Sequence, residues 1–170
     1  MRRPTRSPRR FKPHHDEYVP SLEALQGWNA CESIPVLVKE VYGKGLGVVA
    51  RRALPANRVV ARYEFRVVLR ARAPPGEYRV EVDRKHVGKL DGGSFGPPYG
   101  VVAQVGALLN EPSEDETPNC VRSDSEYWGP PSHRRGAFVL YTTRPVAPYE
   151  ELTWDYGPTY GRRAYAHGGQ

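Results

Sequence analysis

The sequence contains no apolar run approaching the ~20 residues that a bilayer-spanning helix needs, which excludes a helical membrane protein. Hydrophobic residues make up 39% of the chain but are scattered in short runs. Cysteine is scarce: Cys31 and Cys120 are the only two. They lack CxxC spacing, so no zinc site can be assembled from cysteine alone. Nothing suggests the oxidising compartment that a disulfide needs, so two free thiols are expected. No apolar segment follows the arginine-rich start, which argues against a secretory leader. The expectation is a soluble, intracellular protein. Its 170 residues suffice for one domain with a core and not for two well-separated ones.

Acidic residues are missing from residues 1–13, which carry Arg2, Arg3, Arg6, Arg9, Arg10 and Lys12. These six account for the whole formal net charge of +6. The remaining basic residues therefore balance the 19 acidic ones, and no basic face is expected on the folded part. A tail of this kind can make weak, non-specific contact with nucleic acid, because neutralising phosphates releases counterions. It can also act as a nuclear address, or be a solvated arm without a role. A nucleic-acid-binding protein would rest on this tail alone. Four prolines and many charges mark residues 1–20 as disordered.

Beyond the tail, Ser21 is placed to cap a short helix and Gly27 to end it, with Trp28 packing that piece onto the domain. From residue 34 onward, short β-type runs alternate with turn residues. Strands are expected over 36–41, 47–50, 58–68, 78–82 and 137–143. The one helical stretch is 100–109, small and apolar throughout, which suits a buried helix or helical turn. No amphipathic helices lie between the strands, which excludes a parallel βαβ sheet.

Three segments carry chemistry. The first is Tyr42-Gly43-Lys44-Gly45-Leu46-Gly47-Val48, whose alternate glycines allow positive φ and close backbone approach to a ligand. It lacks the ending of a phosphate-binding Walker loop and the spacing of a dinucleotide fingerprint. A tight hairpin explains it equally well. The second is Leu108-Leu109-Asn110-Glu111-Pro112, followed by Thr117-Pro118-Asn119-Cys120. Asn110 offers donors and an acceptor at the end of a buried element. A helix cap and a turn would explain the asparagine but not the Pro-Asn-Cys. The third is Glu150-Glu151-Leu152-Thr153-Trp154-Asp155-Tyr156-Gly157, after the link Arg144-Pro145-Val146-Ala147-Pro148.

In this order the three segments resemble the SET domain family of protein lysine methyltransferases. The glycine loop with Val48-Val49-Ala50 is similar to the family's first motif. Asn110 with Pro118-Asn119-Cys120 resembles its Asn-His-Ser…Pro-Asn-Cys motif, and 150–157 resembles its closing motif nearly letter for letter. The resemblance covers 34–160, about three-quarters of the chain. It implies a mainly β fold of several small sheets with little helix. It also implies a C-terminal pseudoknot that brings Asn110 and Tyr156 together. The organisation expected is a disordered basic tail (1–20), a flanking segment (21–33), the SET domain (34–160) and a flexible C-terminal tail (161–170). This would be a minimal, stand-alone form without a zinc-binding post-SET region.

The activity implied is methyl transfer from S-adenosylmethionine to a protein lysine, with a histone tail as the expected substrate and no metal. By the same resemblance Tyr156 is the catalytic tyrosine and Tyr78 the second channel tyrosine. Trp154 lines the channel at a position associated with the number of methyl groups added. Its missing hydroxyl and its bulk pull that number in opposite directions. The cofactor would meet the backbone of Lys44, Gly45 and Leu46, the side chain of Asn110, and Tyr156, with Tyr160 stacking on adenine. Two departures stand out. Glu111 replaces the family's His, in front of a loop three residues longer. No cysteine-rich tail is present, so closing the channel falls to 160–165. The alternative these departures raise is a catalytically weak module that binds cofactor or peptide without efficient turnover. Glu111, Glu114, Asp115 and Glu116, with Asp124 and Glu126, are placed to form an acidic rim that steers a basic peptide, or simply a solvated loop. A nuclear location follows if the host is eukaryotic; no oligomeric state is legible.

Overall fold

The computed structural model describes residues 21–73, 79–90 and 102–157. Its first element, α1 (Leu22–Ala30), starts as expected: the Ser21 hydroxyl accepts from the Ala24 N–H at 3.2 Å. The helix does not stop at Gly27 but continues to Ala30. An interior glycine costs only ~1 kcal/mol, and the buried Trp28 holds the last turn against the core. The Arg51 guanidinium then bonds the carbonyls of Asn29, Cys31 and Ile34. It thereby satisfies acceptors that a helix end leaves open.

β1 (Val36–Val41) and β2 (Gly45–Ala50) form an antiparallel hairpin, in register from Val36↔Ala50 to Val41↔Gly45. The glycine loop is thus a tight hairpin. Gly43 and Gly45 take φ values of +76° and +81°, a region that strains other residues.

The larger sheet has six antiparallel strands: β3 (Val59–Leu69), β4 (Arg79–Glu81), β5 (His86–Leu90), β6 (Cys120–Arg122), β7 (Glu126–Trp128) and β8 (Arg135–Thr142). Their order is β4-β5-β3-β8-β6, with β7 also paired to β8. β3 alternates as a half-buried strand must. Ala61, Tyr63 and Phe65 face the core, while Arg62, Glu64 and Arg66 lie on the other face. Inside, Phe138 packs on Tyr63 (ring centroids 5.0 Å apart) and on Trp154 (5.5 Å). The expected strands are found with their ends shifted by one or two residues. β5, β6 and β7 were not expected, because each is three to five residues long and is made a strand by its partner.

The segment 100–109 is not a helix along its length. Within its described part Ala103 bridges Ala61 in parallel, and only Gly106–Leu108 forms a single 3₁₀ turn. The chain lies flat on β3: the Arg62 N–H donates to the Ala103 carbonyl at 2.8 Å. A Cβ on Gly106 would come within 2.5 Å of the Arg62 carbonyl oxygen. Tertiary pairing has overridden local preference.

After β8 the chain returns along β2, with Val49 bridging Glu151. It then pairs in parallel with two places at once, Asn110↔Thr153 and Cys120↔Trp154. The Trp154 N–H donates to the Asn110 carbonyl at 3.1 Å, and the Cys120 N–H to the Thr153 carbonyl at 2.9 Å. Residues 110 and 120 are the two ends of one loop, so the closing segment passes between them. This is the pseudoknot that the resemblance implied, and threading of this kind is rare among folds. Among the described residues no helix is long and apolar enough to cross a membrane.

Candidate active site

The pseudoknot brings the three chemical segments into contact. Asn110 is buried, and its amide donates to the Leu46 carbonyl (3.2 Å) and to Glu151 Oε1 (2.9 Å). The other oxygen of Glu151 accepts from Lys44 Nζ at 2.9 Å, and the same ammonium donates to the Glu111 carbonyl at 3.0 Å. The Lys44 side chain is only 8% exposed. A buried ion pair is tolerable when further hydrogen bonds complete both partners, and here Asn110 and Glu111 do so. Gly47 makes the approach possible. A Cβ there would sit 2.5 Å from Val41 Cγ2, 2.8 Å from the Asn110 amide nitrogen and 3.2 Å from Glu151 Oε1. At Gly45, by contrast, a Cβ would meet nothing within 4 Å, so the loop is open on that side.

Glu111 is 2% exposed and therefore does not belong to an acidic rim. Its Oε1 accepts from the Tyr156 backbone N–H at 3.1 Å. The Tyr156 hydroxyl in turn donates to the Leu109 carbonyl. The tyrosine is held at both ends by consecutive parts of the 109–111 segment, and its ring lies 5.1 Å from that of Trp154. The remaining acids of the loop, Glu114, Asp115 and Glu116, are exposed, as are Asp124 and Glu126.

On the opposite flank Asn119 does for the closing segment what Asn110 does on the first. Its amide donates to the Glu151 carbonyl (2.7 Å) and to Glu150 Oε1 (3.1 Å), and its oxygen accepts from the Thr153 N–H (2.9 Å). Burial pushes the Glu150 carboxyl up. Hydrogen bonds from Arg144, the Ala147 N–H and Asn119 outweigh this and hold it below its ordinary 4.5. Next to Asn119, burial pushes the Cys120 thiol up to about 12, so it stays protonated. Cys31 and Cys120 are both free thiols.

Of the expected site residues, Lys44, Gly45, Leu46, Asn110, Trp154 and Tyr156 come together. Trp154 is buried between Phe138 and Tyr156, and its indole N–H has no hydrogen-bond partner among the described residues. Tyr78 and Tyr160 lie outside the described residues, as do the 1–20 and 161–170 tails. The sequence did not single out Glu151, the hub that ties Lys44 to Asn110, or the Lys44 side chain, of which only the backbone was expected to matter. Glu151 was visible only as a letter of the closing motif. Lys44, Glu151 and Asn110 satisfy one another and the carbonyls of Leu46 and Glu111 beside a glycine turn that is open at Gly45.

The SET domain family model matches residues 45–157. Among solved structures, a Plasmodium falciparum protein described as a candidate histone methyltransferase is 16% identical. It aligns with a TM-score of 0.49 over 74% of this chain and 96% of that one. KRYPTONITE, solved in complex with mCHH DNA, an H3(1–15) peptide and SAH, is 23% identical. It aligns with a TM-score of 0.47 over 72% of this chain and 23% of that one. The chain thus spans about a quarter of KRYPTONITE's length. No curated protein sequence matches.

Proposed function

The chain belongs to the SET domain family, and on that premise we propose that it transfers a methyl group from S-adenosylmethionine to a lysine of a protein substrate. The observation that carries the proposal is the fixing of Tyr156 against Leu109 and Glu111, beside Asn110 and the glycine hairpin. The backbone of Lys44, Gly45 and Leu46, the side chain of Asn110, and Tyr156 would hold the cofactor, with Tyr160, outside the described residues, proposed for its adenine. When bound, the cofactor supplies an electrophilic methyl carbon on a sulfonium.

A lysine attacks only when neutral, and its free pKa is about 10.4. A narrow channel beside Tyr156, for which Tyr78 outside the described residues is the proposed second wall, would strip water from the incoming amine and disfavour its charged form. The Tyr156 hydroxyl, its proton committed to the Leu109 carbonyl, turns its oxygen lone pairs to the amine and orients it. Holding two reactants in line in this way contributes on the order of 7–11 kcal/mol. The exposed Glu114, Asp115 and Glu116 favour a basic peptide by long-range attraction, and a histone tail is the substrate class proposed.

The competing reading is a module that binds without turnover, which Glu111 in place of His raised. Glu111 instead holds the Tyr156 backbone N–H, and this supports turnover. Incubation with labelled S-adenosylmethionine and histones decides between them. Label is expected on lysine, with a loss on the order of 10²-fold in Tyr156→Phe, the scale of a positioned polar group in a transfer step. Calorimetric cofactor binding by the native chain with no label transferred would leave the binding module as the better account.

A further inference from the structure

Three side chains tie the three chemical segments together: Lys44 from the hairpin tip, Asn110 from the 109–111 segment and Glu151 from the threaded segment. Both hydrogens of the Asn110 amide are committed among them, one to the Leu46 carbonyl and one to Glu151 Oε1. A carbonyl and a carboxylate can only accept, so the amide nitrogen must face both. Turning the amide over would set its oxygen against two other oxygens. The orientation is therefore fixed, and among the described residues nothing donates to the amide oxygen. Nor, among those residues, is that oxygen sealed as Gln104 Oε1 is.

Glu151 is held in its turn. Its second oxygen accepts from Lys44 Nζ at 2.9 Å, and the Lys44 and Glu151 side chains are only 8% and 19% exposed. A buried ion pair adds little net stability over apolar side chains of the same size. Its best-attested use is to fix one arrangement among several. This pair joins residues 107 positions apart, so it forms only in a threaded chain. The order of control runs from the ammonium to the carboxylate and from the carboxylate to the amide.

Resting on the methyl-transfer reading above, we propose that Lys44 and Glu151 are positioning residues that dictate which end of the cofactor's amino acid Asn110 meets. Lys44 fixes the Glu151 carboxylate, Glu151 fixes the amide, and the amide presents only its oxygen. That oxygen accepts from the cofactor's ammonium group and rejects its carboxylate. The glycine turn beside it is open at Gly45.

The test reads affinity and not turnover. The full chain is titrated by calorimetry with S-adenosylhomocysteine and with two analogues of it, one lacking the amino group and one lacking the carboxylate. The native chain is expected to lose about tenfold or more with the amino group, the scale of a hydrogen bond to a charged group, and less with the carboxylate. Glu151→Gln keeps the shape but brings an N–H within reach of Asn110, so the amide can turn over. Lys44→Met keeps the stem and removes the ammonium. In both variants the loss on removing the amino group should shrink to about threefold or less, the scale of a weak neutral bond. Lys44→Arg should restore most of it. A general loosening of the structure would lower all three affinities together and leave their ratios unchanged. Should Glu151→Gln not fold, Lys44→Met decides. A folded variant with the native ratios overturns the proposal. So does a native chain that loses more with the carboxylate than with the amino group, a comparison that needs no variant. Loss of the carboxylate contribution in Lys44→Met overturns it too, because Lys44 then touches the cofactor itself. A native chain that binds none of the three compounds overturns the methyl-transfer reading, and this inference with it.

Discussion

The pseudoknot and the outer face of the large sheet are both rich in charge and treat it in opposite ways. Around the pseudoknot Lys44, Glu151, Asn110 and Asn119 are largely buried, and each has named partners within 3.2 Å. On the outer face of the large sheet Arg66 and Arg135 are exposed and stand opposite each other across β3 and β8. The difference is one of cost. A buried polar group whose partner is removed leaves that partner without water, at ~1–3 kcal/mol each. Exposed charges contribute at most ~1 kcal/mol to stability. The first region should therefore resist substitution as part of the fold, and the second should tolerate it.

The sharpest way to break this contrast is Asn119→Ala. It strands the Thr153 N–H and the Glu151 carbonyl together, and a destabilisation of about 2–4 kcal/mol is expected, read from urea unfolding. A loss below about 1 kcal/mol would mean that water reaches the pseudoknot and that the contrast is false. Next comes Gly47→Ala, whose methyl must displace Val41 or Asn110. Overpacking of this kind costs about 1–3 kcal/mol, and S-adenosylmethionine affinity measured by calorimetry should fall with it.

Glu150 sharpens the comparison through pH. Its folded carboxyl lies below the ordinary 4.5, so the fold favours the charged form. The contribution is complete above pH 4.5 and is lost as the pH falls through the folded value. Glu150→Gln should flatten the decline of thermal stability below pH 4.5, and an unchanged acid profile would show that Arg144 and Asn119 do not hold it. The smallest effect is expected on the face. Trp128→Ala should change unfolding free energy by only about 0.5 kcal/mol, since the ring stands at the surface beside the Arg62 guanidinium.

How much of this was legible in the sequence follows the same division. The closing motif and the Asn110 and Pro118-Asn119-Cys120 segments implied the pseudoknot only through their resemblance to a known family, since nothing in local sequence predicts threading. The 36–41 strand was clear from its β-branched run. What was lost depends on partners that local sequence does not contain. Gly27 reads as a stop until Trp28 is seen buried beyond it. Segment 100–109 reads as helical until β3 takes its hydrogen bonds. Glu111 reads as part of an acidic loop until Tyr156 arrives from 45 residues away. Arg66 and Arg135 lie far apart in the chain and meet only through strand register. A net charge, being a sum, contains nothing about register.

The threading also fixes an order in time. The two hydrogen bonds described for Tyr156 join it to chain made 45 to 47 residues earlier, and contacts of that separation form late. The sheet can assemble from its own strands before the terminal segment has slid into place. The proposed site is therefore the final thing a refolding molecule completes, and recovery of the methyl transfer proposed for it should trail recovery of the β-sheet signal.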